Sequence, residues 1–156
     1  MNGMTSVEIS GKVLEALKSD PVLSGYVKSF SIGGIDVSRK LFPFIAVETP
    51  SNDADALTIG RDGYMNNVYT IRIFGGTYHT LADVAHAGSG KSGAKGILQL
   101  NSDILNAVIP NSFDDAFARP VRLLNSTTAH KVSSGGRSWI TLVTISGRRK
   151  TLKQPA

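Results

Sequence analysis

The chain contains no cysteine, which excludes disulfide cross-links and thiolate zinc sites and suits synthesis in a reducing compartment. The sequon at Asn125, Ser126 and Thr127 therefore carries no expectation of glycosylation. Also missing is any apolar run near the roughly 20 residues that a bilayer helix requires. The opening residues pass directly into a polar, amphipathic stretch, without the pattern of a signal peptide. No internal repeat is present. Closely spaced carboxylates occur only as Asp53 with Asp55 and Asp114 with Asp115, in loop-like stretches where turn formation explains them. Nothing in these absences leaves room for an evident active site, and the expectation is a protein that is not an enzyme and holds no cofactor or metal.

Hydrophobic residues make up 41% of the chain and charged ones 19%, the balance of an ordinary globular protein and not of a disordered one. A length of 156 residues supports one domain with a real core. Acidic residues are scarce in the second half. Residues 1–78 carry seven Lys/Arg against eight Asp/Glu, and residues 79–156 carry ten against four, so the net charge of +5 sits late in the chain. Its densest cluster, Arg148, Arg149 and Lys150 with Lys153, reads as a frayed basic tail over 148–156 behind a single domain over 1–147. Such a tail touches phosphates or an acidic protein face, or simply aids solubility. No aromatic side chains interleave with it, which weakens any case for single-strand recognition.

The stretch "AHAGSGKSGAKG", residues 85–96, fits a relaxed phosphate-loop spelling around Lys91. A working phosphate loop needs a buried strand before it and a helix starting at the Lys-Ser pair, so that backbone N–H groups converge on the anion. Here Thr80 to His86 is helix-like, and Gly93 to Gly96 delays the next helix to about residue 96. The stretch reads as a solvated connector. His79, Asp83 and His86 have a spacing that would stack them on one helix face as metal ligands. No fourth ligand accompanies them, and Thr80 with Asp83 fits a capping box.

Two helices are expected. Ile9, Val13 and Leu17, with Leu14, form an apolar stripe over Ser6 to Ser19, ended by Asp20 and Pro21. Ile97, Leu100, Ile104, Leu105 and Val108 form another over Gly96 to Ile109, closed by Pro110. Residues 22–30 admit either a helical turn or a first strand. Leu41 to Thr49 reads as a strand apolar on both faces, with Pro43 near its start. Ser51 to Asn67 is a long, hairpin-like excursion. Val68 to Phe74 alternates, with Tyr69, Ile71 and Ile73 on one face and Thr70 and Arg72 on the other, and stops at Gly75 and Gly76. Arg119 to Leu124 and Ser138 to Gly147 are two further strands, joined through Ser133 to Gly136, and Trp139 anchors in the core. The fold class is α+β: an antiparallel or mixed sheet with two main helices on one face and a long loop between the first two core strands.

Taken in order, "KVLEALKSDPVLSGYV", "FPFIAVET", the long loop, "VYTIRIFGG", "GILQLNSDILNAV", "RPVRLL" and "SWITLVTISG" resemble the tail terminator (tail-completion) proteins of long-tailed bacteriophages. The likeness spans about residues 7 to 147 and lies in segment order and texture. It implies a structural assembly protein that forms a ring, usually hexameric, on the last tail-tube ring, stopping tube growth and offering a surface to the head-side connector. The implied partners are further copies of the chain, the tail-tube protein, the connector or head-completion protein and DNA passing through the lumen, with no membrane. The implied location is the virion neck after assembly in the host cytoplasm. Under that reading the excursion, with Asp53, Asp55, Leu57, Ile59, Arg61 and Tyr64, orders against a neighbouring subunit. Lys91, Lys95, Arg122, Arg148, Arg149 and Lys150 face the lumen or a partner. The alternatives are another neck protein, such as a head-closure or connector component, a small nucleic-acid-binding module, and a phosphate-loop nucleotide-binding protein.

Overall fold

Ile9, Val13 and Leu17 are fully buried, and the stripe they form defines helix α1 over Ser6–Ser19. The chain is described here from a computed structural model, over residues 6–33, 42–49, 51–54, 64–79, 82–88, 95–109, 111–113, 116–117, 120–131 and 138–152. Asp20 ends α1 and starts the next turn: its Oδ1 accepts from the N–H groups of Val22 and Leu23, both at 3.0 Å. This caps the short helix α2, Pro21–Ser24. Both readings of residues 22–30 are realised, because a strand β1 follows at Ser29–Ile32.

Strand β2, Phe44–Val47, is buried at every position, as its continuous apolar character predicts, and Pro43 stands just before it behind a cis peptide bond. The excursion is a hairpin. Strand β3, Ser51–Ala54, runs antiparallel to the early part of strand β4, Tyr64–Tyr78. The glycines at 75 and 76 do not stop β4, as the sequence led us to expect. A Cβ on Gly76 would collide with the Phe44 ring, which lies across the strand opposite it. Here glycine admits a packed aromatic ring within a continuous strand.

A short helix α3, Ala82–Ala87, precedes helix α4, Ile97–Val108. Gly96 and Ile109 flank α4 as its caps, and Ile97, Leu100, Ile104 and Val108 are fully buried. Strand β5, Arg122–Lys131, and strand β6, Ser138–Leu152, complete the chain. Both differ from expectation. β5 continues through the Asn-Ser-Thr stretch because each residue from Asn125 to Lys131 finds a cross-strand partner on β6, after a register shift between Leu123 and Asn125. β6 runs past Gly147 because residues 148–152 pair with the start of β4, up to Tyr64 with Leu152. Residues 148–152 are therefore strand and not a frayed end.

The strand order is β1-β2-β4-β6-β5, with β3 pairing β4 off this path. Only β1 and β2 are parallel. The fold is α+β with a mixed sheet. Ile45 and Val47, Tyr69, Ile71 and Ile73, and Val143 and Ile145 form one core cluster with the stripes of α1 and α4, each large side chain contributing about 2 kcal/mol by leaving water.

Candidate functional site

Alternation along β4 and β6 gives the sheet two unlike faces. The odd-numbered residues from Tyr69 to Thr77 and from Trp139 to Gly147 face the helices. Opposite them lie Thr70, Arg72, Thr144, Ser146 and Arg148, half-buried or exposed. Arg72 pairs with Thr144, Arg122 with Ser146 and Val68 with Arg148, so the register gathers Arg72, Arg122 and Arg148 on this one face among hydroxyl side chains. The Arg72 guanidinium lies 3.7 Å from the Glu48 carboxylate, and both groups are solvent-screened, so the pair holds geometry more than it stabilises. At its other end the same face is aromatic: the Phe42 and Phe44 rings meet edge to face at 5.3 Å, and Tyr78 lies 5.8 Å from Phe42.

The basic residues singled out from sequence divide. Arg122 and Arg148 share the open face. Arg149, one position on, turns inward, where its Nη1 donates to the Ala116 carbonyl at 2.9 Å. It lies near Tyr69, whose hydroxyl is pushed to higher pKa by burial, an effect that the arginine partly opposes. Lys150 is in strand β6, Lys95 stands just before α4, and Lys91 lies outside the described residues. Of the excursion, Asp53 sits in β3 opposite Val68, and Tyr64 opens β4. Asp55, Leu57, Ile59 and Arg61 lie outside the described residues. Sequence reading placed Arg72 on the polar face through alternation but did not single it out, since the grouping requires the β5 register.

The glycine-rich stretch has a geometry that composition did not reveal. Its two ends touch: a Cβ on Gly96 would collide with the backbone of His86 and Gly88. Residues 88 and 96 are therefore neighbours in space. The element before the stretch is α3, bound to β4 by the Thr77 hydroxyl, which donates to the Ala85 carbonyl at 2.6 Å. A helix, not a strand, thus precedes the loop, which removes the geometry a phosphate loop needs. His79 lies before α3 begins, so it does not share a helix face with His86, whose ring instead packs 4.3 Å from that of Trp139. Among the described residues no group of three or more potential metal ligands occurs.

A partly buried polar network ties the turn after α2 to α4. The Tyr26 hydroxyl donates to Asp103 Oδ2 at 2.6 Å, and Gln99 Nε2 donates to Asp103 Oδ1 at 2.8 Å. Asp103 is buried within α4, and the two donors satisfy its carboxylate. Burial and the neighbouring carboxylate together push the Tyr26 hydroxyl strongly upward in pKa. Sequence alone gave no signal for this network, whose members lie 77 residues apart.

The two flanks of the sheet also differ. At one edge β5 exposes Leu123 and Leu124, at 44% and 53%, where its register shifts. On the flank carrying β1, an open groove of about 690 Å³ runs along α1, lined by residues that include Glu8, Gly11, Leu14, Glu15, Ile32 and Phe113. Among the described residues nothing lies within 4 Å of where a Cβ on Gly11 would stand.

No family model matches the sequence, and no curated protein matches it. Among solved structures, the fold is similar to a chain in the "Virion of native gene transfer agent (GTA) particle". The TM-score is 0.56 at 12% identity, and the match covers 92% of this chain and 95% of that one. Coverage of nearly the whole of both chains means that the likeness concerns the complete α+β arrangement and not a shared supersecondary fragment. No helix among the described residues is long and apolar enough to cross a membrane.

Proposed function

We propose that the protein is a structural component of a phage-like particle, and specifically a tail terminator that forms a ring at the head-proximal end of the tail tube. The observation that carries this reading is the near-complete fold likeness to a chain of a gene transfer agent virion, joined to the segment order that resembles tail terminators. Nothing in the site argues for bond-breaking chemistry, and the protein acts through surfaces, without a cofactor. Its partners are copies of itself, the tail-tube protein, the connector or head-completion protein and DNA in transit.

The chemistry of the open sheet face fits this role. Arg122 and Arg148, with Arg72 and the surrounding hydroxyls, give it a positive, hydrogen-bonding surface that attracts phosphates without reading base sequence. Lys91, Lys95 and Lys150 add to the same late-chain positive charge. The excursion with Asp55, Leu57, Ile59 and Arg61 is the segment proposed to order against a neighbour. Mass measurement in solution, alone and with purified tail tubes, followed by imaging of the tube ends, tests the reading. A discrete oligomer and a capped tube end are expected. A monomer that ignores the tubes would overturn it.

A further inference from the structure

We infer that copies of this chain join head to tail, the Leu123–Leu124 bulge of one seated in the groove along α1 of the next. The inference rests on the ring reading and specifies its contact. A closed cyclic assembly needs one flank that complements the opposite flank. β5 and β1 are opposite edges of the sheet. The β5 flank offers a protruding apolar pair on a ten-residue edge strand. The α1 flank offers a concave surface with Leu14, Ile32 and Phe113 among its lining.

Two further observations select a second copy as the occupant. Charge is complementary: Arg122 adjoins the leucines, while Glu8 and Glu15 outnumber Lys12 around the groove. The basic excess of the chain lies in the half that supplies β5, while the half that supplies α1 is nearly balanced, with seven Lys/Arg against eight Asp/Glu. Opposite charge on opposing flanks steers heterologous contacts and disfavours two-fold ones, in which like would face like. The second observation is Gly11. Mid-helix glycine disfavours the helix, and no neighbour among the described residues requires it, since none lies within 4 Å of where a side chain would begin. Its effect is to keep the groove deep enough to receive a neighbour's side chains.

Among the described strands β5 pairs only with β6, so its outer edge can add directional hydrogen bonding once the leucines are seated. Val22, exposed at 54% on α2, lines neither surface and serves as a control.

The absence of cysteine makes the test clean. Leu124→Cys chains and chains with Ala16→Cys, a position lining the groove, are prepared separately, mixed, and treated with a short bifunctional thiol cross-linker, alone and with the tail-tube protein of the same particle. The expected result is a mixed Leu124–Ala16 cross-link at least about tenfold above either variant alone, and a closed ladder from the double variant. Gly11→Leu is expected to weaken association by about tenfold or more while the melting temperature holds or rises, and Val22→Ser to leave association unchanged. Efficient Leu124→Cys homodimers would overturn the inference in favour of a two-fold edge contact. An oligomer by mass that yields no mixed cross-link would overturn this contact and leave the ring reading standing. A chain that stays monomeric with and without the tube protein would overturn both.

Discussion

The two faces of the central sheet are written by the same strands and behave as different materials. On the helix side, Ile71, Ile73, Val143 and Ile145 are fully buried, and the cross-strand pairs Ile71 with Ile145 and Ile73 with Val143 stack as a continuous apolar layer. One residue along each strand, the pairs become Arg72 with Thr144 and Thr70 with Ser146. At these pairs apolar burial is therefore concentrated on one side, and polar side chains stand half-buried or exposed on the other. The open face is not uniform, however. Phe44 and Ala46 are fully buried on it, and the Phe42 ring lies against those of Phe44 and Tyr78, so this end of the face is less open than its β5-side half.

The contrast is tested most severely by truncating equivalent pairs. Ile71→Ala or Ile145→Ala is expected to lose about 3–4 kcal/mol of unfolding free energy, against under about 0.5 kcal/mol for Thr144→Ala, both read from urea midpoints. Equal losses would break the two-face description. Next is Gly76→Val, expected to cost about 2 kcal/mol by overpacking against Phe44, with part of the loss recovered when Phe44→Leu is added. Failure of that rescue would mean that the aromatic end of the open face is not packed as described.

Smaller still is Tyr26→Phe, which leaves one Asp103 oxygen short of a donor inside the helix layer and should cost about 1–2 kcal/mol. Its pH dependence has a defined sign. The folded-state hydroxyl ionises above its ordinary value of 10.0, so the folded form holds the proton where the unfolded form releases it. The stabilisation is complete below pH 10 and declines as pH rises above it, and the alkaline decline should be shallower in Tyr26→Phe. The smallest effect is a gain. Gly11→Ala should raise stability by about 1 kcal/mol, because the added methyl meets no neighbour, and a loss instead would place that helix face in contact with something in this chain.

The helices were legible because their stripes are long and regular. Ser6–Ser19 matches the expected bounds, and Gly96 and Ile109 mark the ends of α4. β2 was equally plain, since four consecutive buried residues leave only apolar choices. What misled was local punctuation. Gly75, Gly76 and Gly147 are spelled like strand ends but lie within paired strands, where the deciding contacts come from residues remote in sequence. Asn125, Ser126 and Thr127 have the composition of a turn, yet cross-strand pairing with β6 makes them strand. The candidate surface was half legible. Alternation sorted Arg72 from Ile71 and Ile73, but only the register of three strands brings Arg72, Arg122 and Arg148 together, and it sends Arg149 to the opposite face.

Gly88 and Gly96 stand in contact, eight positions apart in the chain. Two ends already held together can be joined by a connection of almost any length: each doubling costs only about 0.6 kcal/mol of closure entropy. A fluorescent domain or an affinity epitope spliced between those glycines should therefore leave the melting temperature of the body close to that of the parent chain.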